Sequence, residues 1–146
     1  MVRMLSVTIL LFIIVVGCQN SISTGNATDL ISFRTDKTSY SISDTIDIIL
    51  KNESYSKILI GLRCGGYLEM FYQKKEENIW SDNLSFWYMS LRCLTVVDTL
   101  ESNNIFNYSL ESAIFDSTGT YRLVLKYYRS SENIERIEYS NSFEIK

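Results

Sequence analysis

Residues 120–127 read TYRLVLKY, and the alternation within this stretch predicts a β-strand. Apolar side chains recur at every second position, and the polar side chains of Arg122 and Lys126 lie between them. A period of two places such a set on one face of a strand and its neighbours on the other. The side chains expected to face a core are Tyr121, Leu123, Leu125 and Tyr127.

The same period recurs on both sides of this strand, from about residue 30 onward. The runs are TIDIILKN (45–52), KILIGLRC (57–64), YLEMFYQ (67–73), IFNYSL (105–110) and YSNSFEIK (139–146). The last run is expected to group Tyr139, Phe143 and Ile145 on one face. Clusters of Gly, Asn, Asp and Ser separate the runs, and such clusters are typical of turns. The sequence therefore predicts an all-β chain, folded as an antiparallel β-sandwich of two sheets.

Composition narrows the function classes. The chain has 146 residues, which fits one domain, and its formal charge of -3 does not suggest a nucleic-acid binder. It contains no histidine, so the usual general base and the commonest metal ligand are both missing. No nucleotide-binding or calcium-binding motif occurs. We expect no enzymatic activity, no cofactor and no metal site.

The amino-terminal segment predicts export. Arg3 is followed by an apolar stretch, Leu5 to Val16, which is shorter than the roughly 20 residues of a membrane-spanning helix. The stretch ends in Val-Val-Gly-Cys at residues 15–18 and resembles the lipobox of bacterial lipoprotein signals. The resemblance implies cleavage before Cys18, lipid on its thiol and acylation of the new amino terminus. The alternative is an ordinary secretory signal in which Cys18 is incidental.

These signals divide the chain into three parts. Residues 1–17 are expected to be the signal peptide, residues 18–29 a flexible polar tether, and residues 30–146 the folded domain. The tether would reach about 18 Å as a random coil. The expected location is the bacterial cell envelope, with lipid in the membrane, and in the outer rather than the inner membrane.

The cysteine count favours one disulfide. Three cysteines are present, and if Cys18 carries lipid, Cys64 and Cys93 remain as a pair. A disulfide persists outside the cytoplasm and would close a loop of 93 − 64 = 29 residues, worth roughly 3.5 kcal/mol. Two free buried thiols are the alternative. A metal pair is less favoured, because two thiolates without histidine do not complete a tetrahedral site.

The stretch DSTGTYRLVL (116–125) resembles the tyrosine corner of immunoglobulin-like sandwiches, with Gly119 and Tyr121 in the matching positions. Two departures set it apart from antibody domains. Asp116 lies one residue too far from the tyrosine, and Leu123 stands where those domains place their second core cysteine. The resemblance implies an immunoglobulin-like fold in which Tyr121 forms the corner.

A closer resemblance is to the immunoglobulin-like domains of bacterial envelope lipoproteins, and it covers most of residues 33–146. The matching positions are Lys37, Tyr40, Asp44, Ile46, Ile48, Asn52, Cys64, Leu68, Trp80, Cys93, Gly119, Tyr121, Arg122, Phe143 and Ile145. The resemblance implies a fold and a compartment. It transfers no catalytic residue, because the family shares none.

An aromatic cluster supplies the candidate binding residues, which are Trp80, Trp87 and Tyr88. Trp and Tyr are frequent interface anchors, so these side chains suit a protein or glycan ligand. The alternative is packing, which we favour for Trp80, over the Cys64–Cys93 bridge or at the edge of the sandwich. Because Phe86, Trp87 and Tyr88 are adjacent, a strand would point them to alternate faces. We expect Trp87 to face outward.

These observations predict an envelope lipoprotein whose domain is a non-enzymatic binding or scaffolding module. If it binds through a loop, the segment between Cys64 and Cys93 is the candidate, because a bridge would order it in advance. Two alternatives remain, a protease inhibitor that presents a loop and a glycan-binding module. A purely structural envelope component is a third.

Overall fold

The computed structural model describes residues 30–130, 132 and 134–146, and in this part the chain consists of β-strands with two short 3-10 helices. The all-β prediction is confirmed. The predicted signal peptide and tether lie outside the described residues. The strands are β1 (Ile31–Thr35), β2 (Ser39–Tyr40), β3 (Thr45–Asn52), β4 (Ile58–Arg63), β5 (Tyr67–Leu68), β6 (Met70–Glu76), β7 (Ile79–Trp80), β8 (Leu84–Ser85), β9 (Thr95–Leu100), β10 (Ile105–Glu111), β11 (Gly119–Arg129), β12 (Glu135–Tyr139) and β13 (Phe143–Ile145).

The small sheet has three strands in the order β1-β3-β10, and both pairings are antiparallel. Its central strand is the TIDIILKN run, in which Ile46, Ile48 and Leu50 are buried, each at 1% exposure or less. β-Branched residues suit a pleated, half-buried surface, which is why this run forms the centre of the sheet. The 3-10 helix Ser112–Ile114 follows β10.

The large sheet is assembled around β11, the longest strand. On one side β11 pairs with β12 and β13, and on the other side with β4 and β6. β2 extends the sheet through a parallel pairing with β13, while β9 pairs with β4 at the opposite margin. β5 pairs with β4, and β7 and β8 pair with β6.

This connectivity is that of an immunoglobulin-like β-sandwich. β1, β3 and β10 lie in one sheet, while β2, β4 to β9 and β11 to β13 lie in the other, so the chain passes between the two sheets several times. The predicted fold class is therefore confirmed for the described residues. The core between the sheets includes all four side chains that the TYRLVLKY alternation assigned to it, together with Phe115 and Phe143.

Strand alternation failed at Tyr139, which is 43% exposed while Phe143 and Ile145 are buried. The chain leaves strand geometry at residues 140–142, between β12 and β13. The two-residue period does not continue through this break, so Tyr139 points to the outer face of the large sheet. The strand β9 was also not identified from the sequence, because its two valines, Val96 and Val97, are adjacent and do not alternate with polar residues. Both are exposed in the structure.

A hairpin interrupts the strand that pairs with β11. Ile58–Ile60 and Met70–Lys74 pair with β11, but residues 61–69 leave it and fold back with Leu62 opposite Leu68. The Glu69 amide closes this excursion by donating to the Gly61 carbonyl oxygen at 2.8 Å. Gly61 suits this close approach, because a Cβ atom there would force the Glu69 carboxylate to shift. We call residues 61–69 the arm.

Candidate binding groove

A disulfide joins Cys64, at the turn of the arm, to Cys93, which lies just before β9. Their Cα atoms are 5.2 Å apart, and the predicted pairing is confirmed. The bridge ties the arm to the strand beside it, because β9 pairs with β4 along its whole length. The arm is thereby held next to β9 by both the strand pairing and the disulfide.

The aromatic cluster between the two cysteines forms a short 3-10 helix, Trp87–Ser90, rather than a strand. Trp87 is 56% exposed, whereas Phe86 and Tyr88 are 2% and 1% exposed. Trp87 therefore lies on the surface, as expected, but through a helical turn instead of strand alternation. Tyr88 lies in the core at 1% exposure, and its role as a binding residue stays a prediction.

A groove of about 680 Å³ lies beside Trp87, where the two sheets separate along β10. One wall comes from β10 and the 3-10 helix after it, and the other from the arm and the Trp87 segment. Its lining is rich in aromatic side chains and consists of Tyr67, Tyr72, Ser85, Trp87, Tyr88, Tyr108, Ser109, Leu110, Glu111, Ala113, Ile114 and Asp116.

Tyr67 of the arm links the exposed Trp87 to the core. Its ring meets the Trp87 ring edge to face, with centroids 5.5 Å apart, and stacks on the Tyr88 ring at 5.0 Å. Tyr88 in turn stacks on Phe86 at 5.4 Å. Aromatic pairs at these separations add about 1 kcal/mol each beyond their buried area. Trp87 therefore stands on a rigid aromatic base.

Tyr88 and Tyr108 of the groove have raised pKa values and are neutral phenols at neutral pH. The Tyr88 hydroxyl donates to the Leu68 carbonyl oxygen at 3.0 Å, and burial, followed by the nearby Tyr108 and Glu69, raises its pKa. Burial, followed by Tyr67, also raises the pKa of Tyr108. Tyr108 can offer a hydroxyl and an apolar ring to a ligand, and at neutral pH neither tyrosine acts as a base.

The groove is acidic at one end. Glu111 and Asp116 are the charged residues of its lining, and both are carboxylates. Burial, followed by the charge of Asp116, raises the pKa of Tyr72, so this carboxylate acts on the groove interior. The field at this end favours a positively charged group.

Trp80 lies elsewhere. It pairs with Lys75 at the far end of β6 from the arm, on the outer face of the large sheet. The Arg122 guanidinium lies between two rings there, 4.3 Å from the Trp80 centroid and 4.2 Å from that of Tyr139. Cation–π contacts of this kind stabilise a half-buried aromatic side chain. Trp80 is thus packed, but on Arg122 and not over the disulfide.

Tyr121 has a structural contact at the position of the corner motif. Its hydroxyl donates to the Ser117 carbonyl oxygen at 2.7 Å, four residues upstream, and its ring is 2% exposed. This contact fixes the turn that precedes β11.

No group of three or more His, Cys, Asp or Glu side chains within residues 30–130, 132 and 134–146 could hold a metal ion. In the same part of the chain no helix is long and apolar enough to span a membrane.

No protein-family model matches the chain, and no curated protein is similar to it in sequence. Among solved structures, the ASH/PapD-like domain of human CEP192 (PapD-like domain 7) is similar, with 15% sequence identity and a TM-score of 0.39. The match covers 99% of this chain and 96% of that chain. A likeness at this level carries no functional information.

Two lining residues, Tyr67 and Tyr108, were not among the sequence candidates. Both belong to runs that the alternation identified as strands, in which Tyr108 was grouped on the face expected to meet a core and Tyr67 was not. Only the pairing of the strands shows that β10 ends the small sheet and leaves these rings beside Trp87.

Proposed function

We propose that this chain is a lipid-anchored, non-enzymatic binding module of the bacterial cell envelope, and that it binds its ligand in the groove beside Trp87. The observation that carries the proposal is a 56% exposed tryptophan fixed above a groove of about 680 Å³. Interface energy concentrates in Trp, Tyr and Arg side chains that enter well-packed pockets.

Preorganisation supports a binding role. The Cys64–Cys93 disulfide restrains the arm, and Tyr67 of the arm packs on both Trp87 and Tyr88. Little side-chain freedom is then lost when a ligand binds, and this loss is a main cost of association. The loop predicted from sequence as the binding segment contains one wall of the groove.

The non-enzymatic part of the proposal rests on the chemistry of the lining. Tyr72, Tyr88 and Tyr108 have raised pKa values, the two carboxylates of the lining lie at one end, and the chain has no histidine. A nucleophile paired with a base would be needed for acyl transfer, and opposed carboxylates for glycoside hydrolysis. The groove offers rings, hydroxyls and negative charge, which suit recognition.

Binding is tested with the full chain in detergent micelles, probed with a phage library of random short peptides and with a glycan array. We expect ligands whose affinity falls about tenfold or more in Trp87→Ala. Trp80→Ala is the matched control and should leave affinity unchanged, because Trp80 lies on the other face. Ligands that bind both variants equally, or the absence of any ligand, would refute the groove as a binding site.

A glycan is the second candidate ligand, favoured by the exposed indole ring, since sugars pack on flat aromatic faces. In that case the array yields Trp87-dependent signals and the peptide library does not. The protease-inhibitor alternative stays a prediction, and an inhibition assay against a protease panel tests it.

Anchoring and location rest on the lipobox resemblance around Cys18, which lies outside the described residues. Metabolic labelling with a fatty acid, followed by membrane fractionation, tests this part. Cys18→Ser should lose both the label and the membrane association, while the paired variant Cys64→Ser/Cys93→Ser keeps both. Label in neither the wild type nor the variant would remove the lipoprotein assignment but leave the groove untouched.

A further inference from the structure

The unpaired edge of β10 borders the same groove. We propose that β10 binds an extended peptide segment of a partner protein as an added strand of the small sheet, and that this segment carries a basic residue at the Glu111 end. The inference rests on the proposed function and names its ligand class. Such β-strand addition combines backbone hydrogen bonds with pockets for alternate side chains.

Two hydrogen bonds at the ends of β10 show which of its backbone groups face β3. The Asn52 amide donates to the Asn104 carbonyl oxygen at 3.0 Å, and the Ser112 amide donates to the Asp44 carbonyl oxygen at 2.9 Å. Even-numbered residues therefore bond to β3, because successive residues of a strand turn to opposite sides. The backbone groups that face away from β3 are those of Ile105, Asn107, Ser109 and Glu111.

The edge of β10 that faces away from β3 has no pairing strand in the described residues and lacks the residues that usually protect such an edge. Within the described residues no strand pairs with it, since β10 is last in the order β1-β3-β10. Exposed edges are usually protected by lysine, proline or an inward charge. Residues 105–111 contain neither lysine nor proline, and Ile105 at the start of β10 is 54% exposed. The strand has seven residues, which is long enough to template another.

The groove provides room for the side chains of an added strand. Such a strand would run about 4.8 Å beyond β10, and every second side chain would point inward between the sheets. The inward side chains would lie beside Tyr108 of β10 and face Tyr67 and Trp87 across the groove. These rings are partly exposed, and an apolar side chain would cover them.

Charge selects the partner. Glu111 lies at the end of β10 and Asp116 follows close by, and they are the charged residues of the groove lining. A lysine or arginine on the added strand would pair with them, whereas an acidic residue would be repelled. A second copy of this chain fits less well, because an antiparallel β10 pair centred on Tyr108 would place Glu111 opposite Ile105.

The peptide library selected on the full chain provides the probe. Peptides of about nine residues span β10. We expect selected peptides to alternate apolar and polar residues and to carry a lysine or arginine near one end. Asn107→Pro removes an outward amide, so we expect affinity to fall at least about tenfold, the equivalent of one to two hydrogen bonds. Asn107→Ala keeps the amide and is the matched control.

Modified peptides test the backbone contacts without altering the protein. N-methylation at amides that face β10 should lower affinity at least about tenfold, whereas methylation at the alternate amides should not. Exchange of the basic residue for glutamate should also weaken binding. If N-methylation is tolerated at every second peptide amide only, the peptide binds through backbone hydrogen bonds, because side-chain contacts alone do not produce this pattern.

Three outcomes would overturn the inference. Equal affinity for Asn107→Pro and Asn107→Ala, with uniform tolerance of N-methylation, would show a ligand held by side chains alone. Peptides that depend on Trp87 but not on Asn107 would leave the proposed function standing and remove strand addition. A dimer seen by sedimentation for the wild type and lost in Asn107→Pro would assign the edge to a second copy instead.

Discussion

β1 and β10 are the two edges of one sheet, yet only β1 is protected. The Thr35 amide of β1 donates to the Asn141 side-chain oxygen at 2.9 Å, and Asn141 donates back to the Thr35 hydroxyl at 2.9 Å. Ile31 and Phe33 are buried at 6% and 4% exposure, whereas Phe106 and Tyr108 of β10 are only half-buried. The same small sheet is thus closed on one side and open on the other.

The difference comes from the neighbouring sheet. On the β1 side, the break between β12 and β13 places Asn141 beside Thr35. On the β10 side, the preceding strand β9 pairs with β4 in the large sheet and leaves β10 uncovered. Whether an edge strand of the small sheet is protected therefore depends on the contacts that the large sheet makes with it, and not on its own sequence alone.

The largest effect should come from proline at neighbouring positions of the open edge. The Tyr108 amide faces β3, opposite Ile48, so Tyr108→Pro removes a ladder bond and leaves a buried carbonyl unsatisfied. We expect the free energy of unfolding to fall by about 4 kcal/mol or more, against about 1 kcal/mol for Asn107→Pro. Urea denaturation measures both, and Tyr108→Ala accounts for the lost ring. Equal losses for the two prolines would contradict the assigned direction of the amides.

Breaking the disulfide should loosen the open side alone. The double variant Cys64→Ser/Cys93→Ser is expected to lose about 3.5 kcal/mol of unfolding free energy. Amide hydrogen exchange should rise most in the arm, which in the described part of the chain pairs within itself and with β9, and least at β1. Cys18→Ser is the control and should change neither quantity. Faster exchange of equal size at β1 would show that the bridge stabilises the whole sandwich.

Opening the closed edge should have the smallest effect. Asn141→Ala removes both contacts with Thr35, and we expect the free energy of unfolding to fall by about 2 kcal/mol. Exchange of the Thr35 amide should also rise. Asn107→Ala, on the exposed edge, serves as the counterpart and should cost less than about 0.5 kcal/mol. If the two alanine variants cost the same, Asn141 does not protect β1.

Much of the fold could be predicted from local patterns. Alternation identified β3, β4, β6, β10 and β11, because each of these strands turns one face to the core. The disulfide followed from the count of cysteines, and the exposure of Trp87 from its position between two aromatic residues. These properties depend on the sequence of a single segment, which is why they could be read without knowledge of pairing.

The candidate site could not be predicted in the same way. The groove exists because β9 pairs with the large sheet, and a pairing partner is not encoded within one strand. Tyr139 was assigned to the core because the two-residue period was continued through residues 140–142, where the sequence pattern does not reveal that the strand is broken. Tyr88 was a candidate as a member of the aromatic cluster, and the 3-10 helix Trp87–Ser90 that forms there was read as a strand.

The role of β11 has a consequence for the order in which the molecule can form. Four strands, β4, β6, β12 and β13, all pair with β11, and two of them precede it by many residues. Until residues 119–129 have left the ribosome, β4 has β5 and β9 as partners and β6 has β7 and β8, but the strand that joins these groups into one sheet is missing. Nascent chain up to that point therefore lacks its native scaffold, and contacts between segments this distant in sequence form slowly. The large sheet of this chain can therefore close only late in synthesis, after β11 has emerged.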